Sequence, residues 1–197
     1  ERLASLEKTL DIDRFITFVA METILCHWDG YTMNKNNWRV YHDRDTDRMV
    51  FFPQGMDQMV GRGNSEMVPR LNGLVSRSVL EIPELRQRYE ARFAQLVTNV
   101  MRADAITARI NEMARKIEHA LAEVSPNAAS AYPEKARSLS RRFQQRAAFL
   151  QRRVAPSQAP IFLAEEDENV PKRRVPKVMQ VNTNVAAFRE TLKLTTW

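Results

Sequence analysis

The sequence predicts an α+β fold that is mostly helical: one helix, a small antiparallel β-hairpin, then a helical bundle. Three observations predict it. Apolar residues recur at three- and four-residue spacing before residue 28 and again after residue 80. Between these regions lie two short runs rich in aromatic and β-branched residues, separated by a polar turn. The 197 residues include nine Met but only five Gly, a balance that favours helices over a turn-rich all-β fold.

Asp11 is an acidic cap, followed by apolar positions at Ile12, Phe15, Ile16, Val19, Ala20, Thr23 and Ile24; the spacing predicts a helix to about His27, with Gly30 just past its end. Trp38–Tyr41 and Arg48–Phe52 read as two strands joined by the polar turn Asp43-Arg44-Asp45-Thr46-Asp47, and Pro53 ends the second. Residues 54–69 are polar and contain Gly55, Gly61 and Gly63, so they read as an irregular loop. A short helix is expected from Arg70 to Leu80, and a longer one through about Met101 with Pro83 in its first turn. Ala103 to about Val124 carries Ile106, Ile110, Met113, Ile117 and Leu121 at helical spacing. Ser125-Pro126-Asn127 breaks the chain there, and Pro133 to about Val154 is the last strong helix expected. Four Pro, the acidic run Glu165–Glu168 and the basic Lys172-Arg173-Arg174 mark residues 155–197 as a linker or tail.

Composition excludes several classes. Apolar residues make up 44% and charged residues 27%, the balance of a globular domain, and no run approaches the ~18 apolar residues of a membrane span. The start, Glu1-Arg2-Leu3, lacks an initiator Met and a signal-peptide pattern, as expected of a segment of a longer protein. The single Cys26 rules out an intrachain disulfide, and its apolar neighbours Ile24 and Leu25 mark it as a buried structural thiol. The formal charge of +6 favours acidic partners in general without identifying nucleic acid.

The chemistry concentrates in residues 28–58. Asp29 lies just beyond a helix end and is followed by Asn34, Asn36 and Asn37, with Asp57 beyond the hairpin. In phosphoryl transfer a carboxylate orients the accepting hydroxyl, while an Asn and a second Asp hold a divalent cation over the phosphates. Asp29 and Gly30 also read as a plain turn after the helix. Spacing alone leaves both readings open.

Trp28-Asp29-Gly30-Tyr31, Asn37-Trp38-Arg39-Val40-Tyr41 and Phe52-Pro53 with Met56-Asp57-Gln58 together resemble the CotH family of spore-coat-type protein kinases. That family has an Asn-Asp or Trp-Asp step, an Asn-Tyr-x-Leu-Tyr strand and a Pro-Trp-Asp-x-Asp segment. Pro83–Tyr89 and Gln145–Leu150 resemble its C-terminal helical region, so the match covers about residues 11–154. The resemblance implies the C-terminal lobe of an atypical kinase. It implies ATP with Mg2+ or Mn2+ as cofactors, a protein substrate such as a coat or envelope protein, and a place in the cell envelope, the spore coat or outside the cell. Residues 1–154 would be the C-terminal portion of that domain, without its nucleotide-gripping part.

Carried over by position, Asp29 resembles the catalytic Asp and Asn37 the metal-side Asn, because Asn37 directly precedes the Trp38 strand. Asn34 competes, since it stands five residues after Asp29, the separation found in protein-kinase catalytic loops. One departure stands out. Where the family has Pro-Trp-Asp-x-Asp, this chain reads Pro53-Gln54-Gly55-Met56-Asp57, so the metal Asp falls on Gly55. Either Asp57 substitutes from two residues along, on the same face of an extended chain, or the site is a degenerate one.

Other motifs are weaker. Asp43, Asp45 and Asp47 imitate a calcium loop, but the sixth position is Arg48 and the twelfth is Gln54, so a solvated turn is expected. His27, His42 and His119 are too scattered for zinc or for a nucleophile-base pair. The basic residues of the last helix, Lys135, Arg137, Arg141, Arg142, Arg146, Arg152 and Arg153, read as a solvated face. Nucleic-acid binding through them is the least favoured of three functional readings.

Overall fold

A computed structural model describes residues 1–61 and 71–154. The expected tail, residues 155–197, lies outside the described residues, as do residues 62–70 of the expected loop and Arg70 at the expected start of the short helix.

A helix not anticipated from sequence, α1 (Arg2–Thr9), comes first; it buries none of its residues fully, though Leu3 and Leu6 pack against the core. Next is α2 (Ile12–Ile24), and the Asp11 carboxylate caps it by accepting from the Arg14 amide at 3.1 Å. The chain leaves the helix at Cys26, which takes a left-handed φ of 53°. Cys26 is buried, as expected of a structural thiol.

A single turn, α3 (Tyr31–Asn34), leads into β1 (Trp38–Asp43) and β2 (Arg48–Pro53). The strands pair antiparallel, with Trp38 opposite Pro53 and Asp43 opposite Arg48. The turn between them is tied by Asp43, which accepts from the Asp45 amide at 3.1 Å and the Thr46 hydroxyl at 3.0 Å. Its aspartates thus serve the turn itself.

The later helices are α4 (Leu74–Leu80), α5 (Pro83–Asn99), α6 (Ala103–Val124) and α7 (Pro126–Val154). α5 turns Leu85, Tyr89, Phe93 and Val97 inward at four-residue spacing, against α2. The last helix begins at Pro126 and not at Pro133, a correction of seven residues. Pro126 opens its first turn, where a missing N–H costs nothing. Ser125 accepts from the Ala128 amide at 3.4 Å and the Ala129 amide at 3.0 Å, and Pro133 is absorbed within the helix. Pairing along α6 offsets the one backbone bond that Pro133 forfeits.

The core joins α2, β2, α5 and the end of α7. Phe15 sits at its centre, fully buried, edge-on to Phe51 at 4.8 Å, and Phe51 stacks on Trp38 at 5.3 Å. Each such ring removed from water stabilises the fold by about 1.5–3 kcal/mol. One residue of α7 contradicts the expected solvated face. Arg146 is fully buried, and its guanidinium donates to the carbonyls of Ile24 at 2.9 Å and Thr23 at 2.8 Å, at the C-terminus of α2. A cation there meets the negative end of the helix dipole and the Ile24 carbonyl that the helix end leaves without an intrahelical partner. Among the described residues no helix is long and apolar enough to cross a membrane.

Candidate active site at the Asp29 loop

Residues 25–37 link α2 to the hairpin, and their backbone folds around Asp29. The Asn37 amide donates to the Asp29 carbonyl at 2.8 Å, closing the loop where β1 begins. Lys35 takes a left-handed φ of 58° and ends α3, so that three carboxamides return toward Asp29. Asn34 Nδ2 donates to Asp29 Oδ1 at 2.5 Å, while Asn36 and Asn37 donate to Oδ2 at 2.9 and 2.8 Å. Both Asn candidates from the sequence therefore touch Asp29, and Asn36 joins them.

Donors aimed at an anion stabilise it. The Asn34 and Asn36 side chains hold the Asp29 carboxyl below its ordinary range, against a smaller upward push from burial. A carboxylate has about four lone-pair sites, and the three carboxamides occupy three. The remaining site, on Oδ1, takes no hydrogen bond from the described residues. Asp29 is thereby held as an anion in a fixed orientation.

The second segment reaches the same spot. The Gln54 amide donates to the Asn37 carbonyl at 3.3 Å. Gly55 has a left-handed φ of 60°, and a Cβ there would lie 2.7 Å from Asn37 Cγ. The position where the family carries a metal Asp thus abuts the Asn37 carboxamide. Asp57 is exposed on the 3-10 turn Met56–Gln58, and Gln58 accepts from the Trp28 indole at 3.2 Å, drawing that turn beside the residue preceding Asp29. With its Nδ2 on Asp29, Asn37 keeps its Oδ1 for another partner. Asn37 and Asp57 are oxygen donors of the kind a hard divalent cation takes, though with one carboxylate between them. Among the described residues no group of three or more His, Cys, Asp or Glu gathers to hold a metal.

Beneath the loop lies a residue that sequence reasoning missed. Glu22 is only 2% exposed and accepts from the Tyr31 and Thr32 amides, both at 2.9 Å. Burial pushes its carboxyl up, offset in part by the Thr32 side chain and those amides. His27 is buried against it, with Nδ1 3.5 Å from Glu22 Oε1, beyond a well-formed hydrogen bond. The available signal was a lone acidic residue within the apolar helix run Val19-Ala20-Met21-Glu22-Thr23-Ile24. The other histidine beside the loop, His42, pairs with Asp47 at 2.7 Å on the hairpin.

The family profile described as CotH kinase protein matches residues 2–154. The chain belongs to the CotH family. Two curated relatives are fungal proteins of Rhizopus delemar. Invasin CotH2 is 32% identical over 90 residues, covering 45% of this chain and 14% of that protein. Invasin CotH3 is 37% identical over 60 residues, covering 30% of this chain and 10% of that protein. The chain therefore matches only a small part of either relative's length. The CotH match spans all the described elements, from α1 to α7.

Proposed function

We propose that this chain supplies the hydroxyl-orienting half of a CotH kinase centre, which in the full-length protein transfers the γ-phosphoryl group of ATP to a protein Ser or Thr. The observation that carries this reading is Asp29, an anion held by three carboxamides with one lone-pair site still open. Family membership supports it. The substrate hydroxyl would donate to Asp29 Oδ1, aligning its oxygen with the γ-phosphorus. As the new P–O bond forms, the bond to the ADP oxygen breaks and the hydroxyl proton passes to Asp29. Because its carboxyl is held low, Asp29 acts first by orientation and takes the proton late. Asn37 Oδ1 and Asp57 are the residues that would hold Mg2+ or Mn2+, which supplies neutralisation of the phosphate charge.

The test uses the full-length parent with ATP and either cation. Asp29→Ala is expected to lower phosphoryl transfer at least about 100-fold, with the melting temperature nearly unchanged. A parent that neither binds nor consumes ATP in the presence of cation would overturn the reading.

Gly55 favours a second reading, a degenerate kinase-like scaffold that presents its surface to a coat or envelope protein. The left-handed backbone and the Asn37 carboxamide, 2.7 Å from where a Cβ would stand, disfavour a side chain at Gly55. That the two Rhizopus relatives are named invasins accords with this alternative. Cation-dependent nucleotide binding by the parent separates the two.

A further inference from the structure

We propose that Glu22 is the positioning residue of the Asp29 centre: from beneath the loop its carboxylate fixes α3, and through α3 the carboxamides that orient Asp29. The functional consequence rests on the reading of Asp29 given above. The positioning itself rests on geometry alone.

α3 is a single turn, too short to be stable on its own hydrogen bonds. Its first amides have no partner within the helix, and Gly30, which precedes it, offers no side chain to cap them. Glu22 takes two of them, Tyr31 N on Oε1 and Thr32 N on Oε2. Both oxygens of one buried side chain are thus spent on consecutive amides, nine and ten residues further along the chain.

Gly30 is part of the same device. A Cβ at that position would lie 2.2 Å from Glu22 Oε1 and 2.7 Å from His27 Nδ1, so only Gly lets the backbone pass this close over the carboxylate. From the opposite side the Asn72 and Gly73 amides donate to the Thr32 carbonyl at 2.8 and 3.1 Å. α3 is therefore gripped through both the N–H and the C=O of Thr32. Asn34 ends this turn, and Asn36 and Asn37 follow the left-handed Lys35. Their approach to Asp29 is set by where α3 is held.

The chemistry requires a carboxylate. A glutamine has nearly the same shape but one acceptor and one donor. In Glu22→Gln one backbone N–H would therefore face an NH2 group. The grip on α3 would be lost while the core volume is kept.

The experiment reads the side-chain amide resonances of Asn34, Asn36 and Asn37 by 1H–15N NMR in the 197-residue chain. Held on Asp29, they are expected to stand apart from those of the exposed Asn111 and Asn127. In Glu22→Gln they are expected to collapse toward the exposed positions, while the backbone spectrum of α5 and α7 stays folded. Leu150→Ala, a core truncation on α7, serves as the control for general destabilisation and should leave all three resonances in place. Should Glu22→Gln fail to fold, Gly30→Ala provides the same reading, because its methyl displaces the carboxylate without changing charge. The proposal is overturned if the three resonances keep their wild-type positions in a folded Glu22→Gln or Gly30→Ala chain. It is equally overturned if Leu150→Ala moves them as far. None of these outcomes depends on whether the parent is active. In an active parent, Glu22→Gln is expected to lower kcat at least tenfold with the KM for nucleotide little changed.

Discussion

At the scale of single residues, Gly55 decides how far this site departs from its family. A left-handed φ costs a non-Gly residue about 1–2 kcal/mol, and the Asn37 carboxamide fills the space a Cβ would need. Gly55→Asp, which restores the family's residue type, is therefore expected to destabilise the chain by about 1–2 kcal/mol in urea denaturation. Asn37 must swing away to admit the side chain, giving up its bond to Asp29, so the parent carrying Gly55→Asp should gain no cation-dependent ATP binding. A variant of unchanged stability that binds ATP with cation more tightly would show that position 55 still accepts a metal ligand. Part of this was legible in the sequence and part was not. Asp29 and its Asn neighbours stood out as a polar cluster at a helix end, and the missing Asp could be read by aligning Pro53. That Gly55 cradles Asn37, and that all three carboxamides converge on one carboxylate, depends on two left-handed residues, Lys35 and Gly55. For Lys35, residue type carries no such signal.

At the scale of elements, the end of α2 determines where the loop begins, and α7 holds that end. Arg146 crosses from α7 to the carbonyls of Thr23 and Ile24, more than 120 residues back along the chain. Burial pushes its guanidinium down from its ordinary range, yet arginine starts so high that it remains charged. Arg146→Met is expected to cost about 2–3 kcal/mol, because it removes hydrogen bonds from a charged donor and leaves the Ile24 carbonyl without its partner. Arg146→Lys should recover only part of this, since an ammonium lacks the planar fork that reaches two carbonyls. Equilibrium unfolding of the two variants checks the order. Equal stability of Arg146→Met and the wild type would mean that water replaces the guanidinium. The hairpin and α6 were readable from sequence because aromatic and β-branched runs mark the strands and apolar residues recur at helical spacing along α6. α1 and α3 escaped that reading: the first is only eight residues long, and the second is one turn held by a distant carboxylate. Arg146 was unreadable for a related reason. Its neighbours Arg141, Arg142, Arg152 and Arg153 suggest a solvated face, and only the tertiary placement of α7, which brings Arg146 to the end of α2, selects one arginine for burial.

At the scale of the whole molecule, the fold is unevenly anchored. Phe15, Phe18, Tyr31, Trp38 and Phe51 form one continuous set of ring contacts that ties α2, α3 and the hairpin together beneath the Asp29 loop. α6 is the opposite case. It runs 22 residues without burying any, leaves Met113, Ile117 and Val124 exposed, and packs mainly along α7. A helix with little buried apolar area opens at a lower free energy than one in the core. Amide hydrogen exchange should therefore show the half of α6 beyond Glu112 exchanging first among the helices of eight or more residues that follow the hairpin. α2 and α5 should be the slowest, approaching the global unfolding limit. The loop amides of Tyr31 and Thr32 should follow α2 and not α6, since Glu22 ties them to it. Uniform protection from α2 to α7 would contradict this division, and so would early exchange of Tyr31 and Thr32. The division places the rigid part of the molecule under the Asp29 carboxylate. α6, which packs mainly on α7, is left free to open without disturbing it.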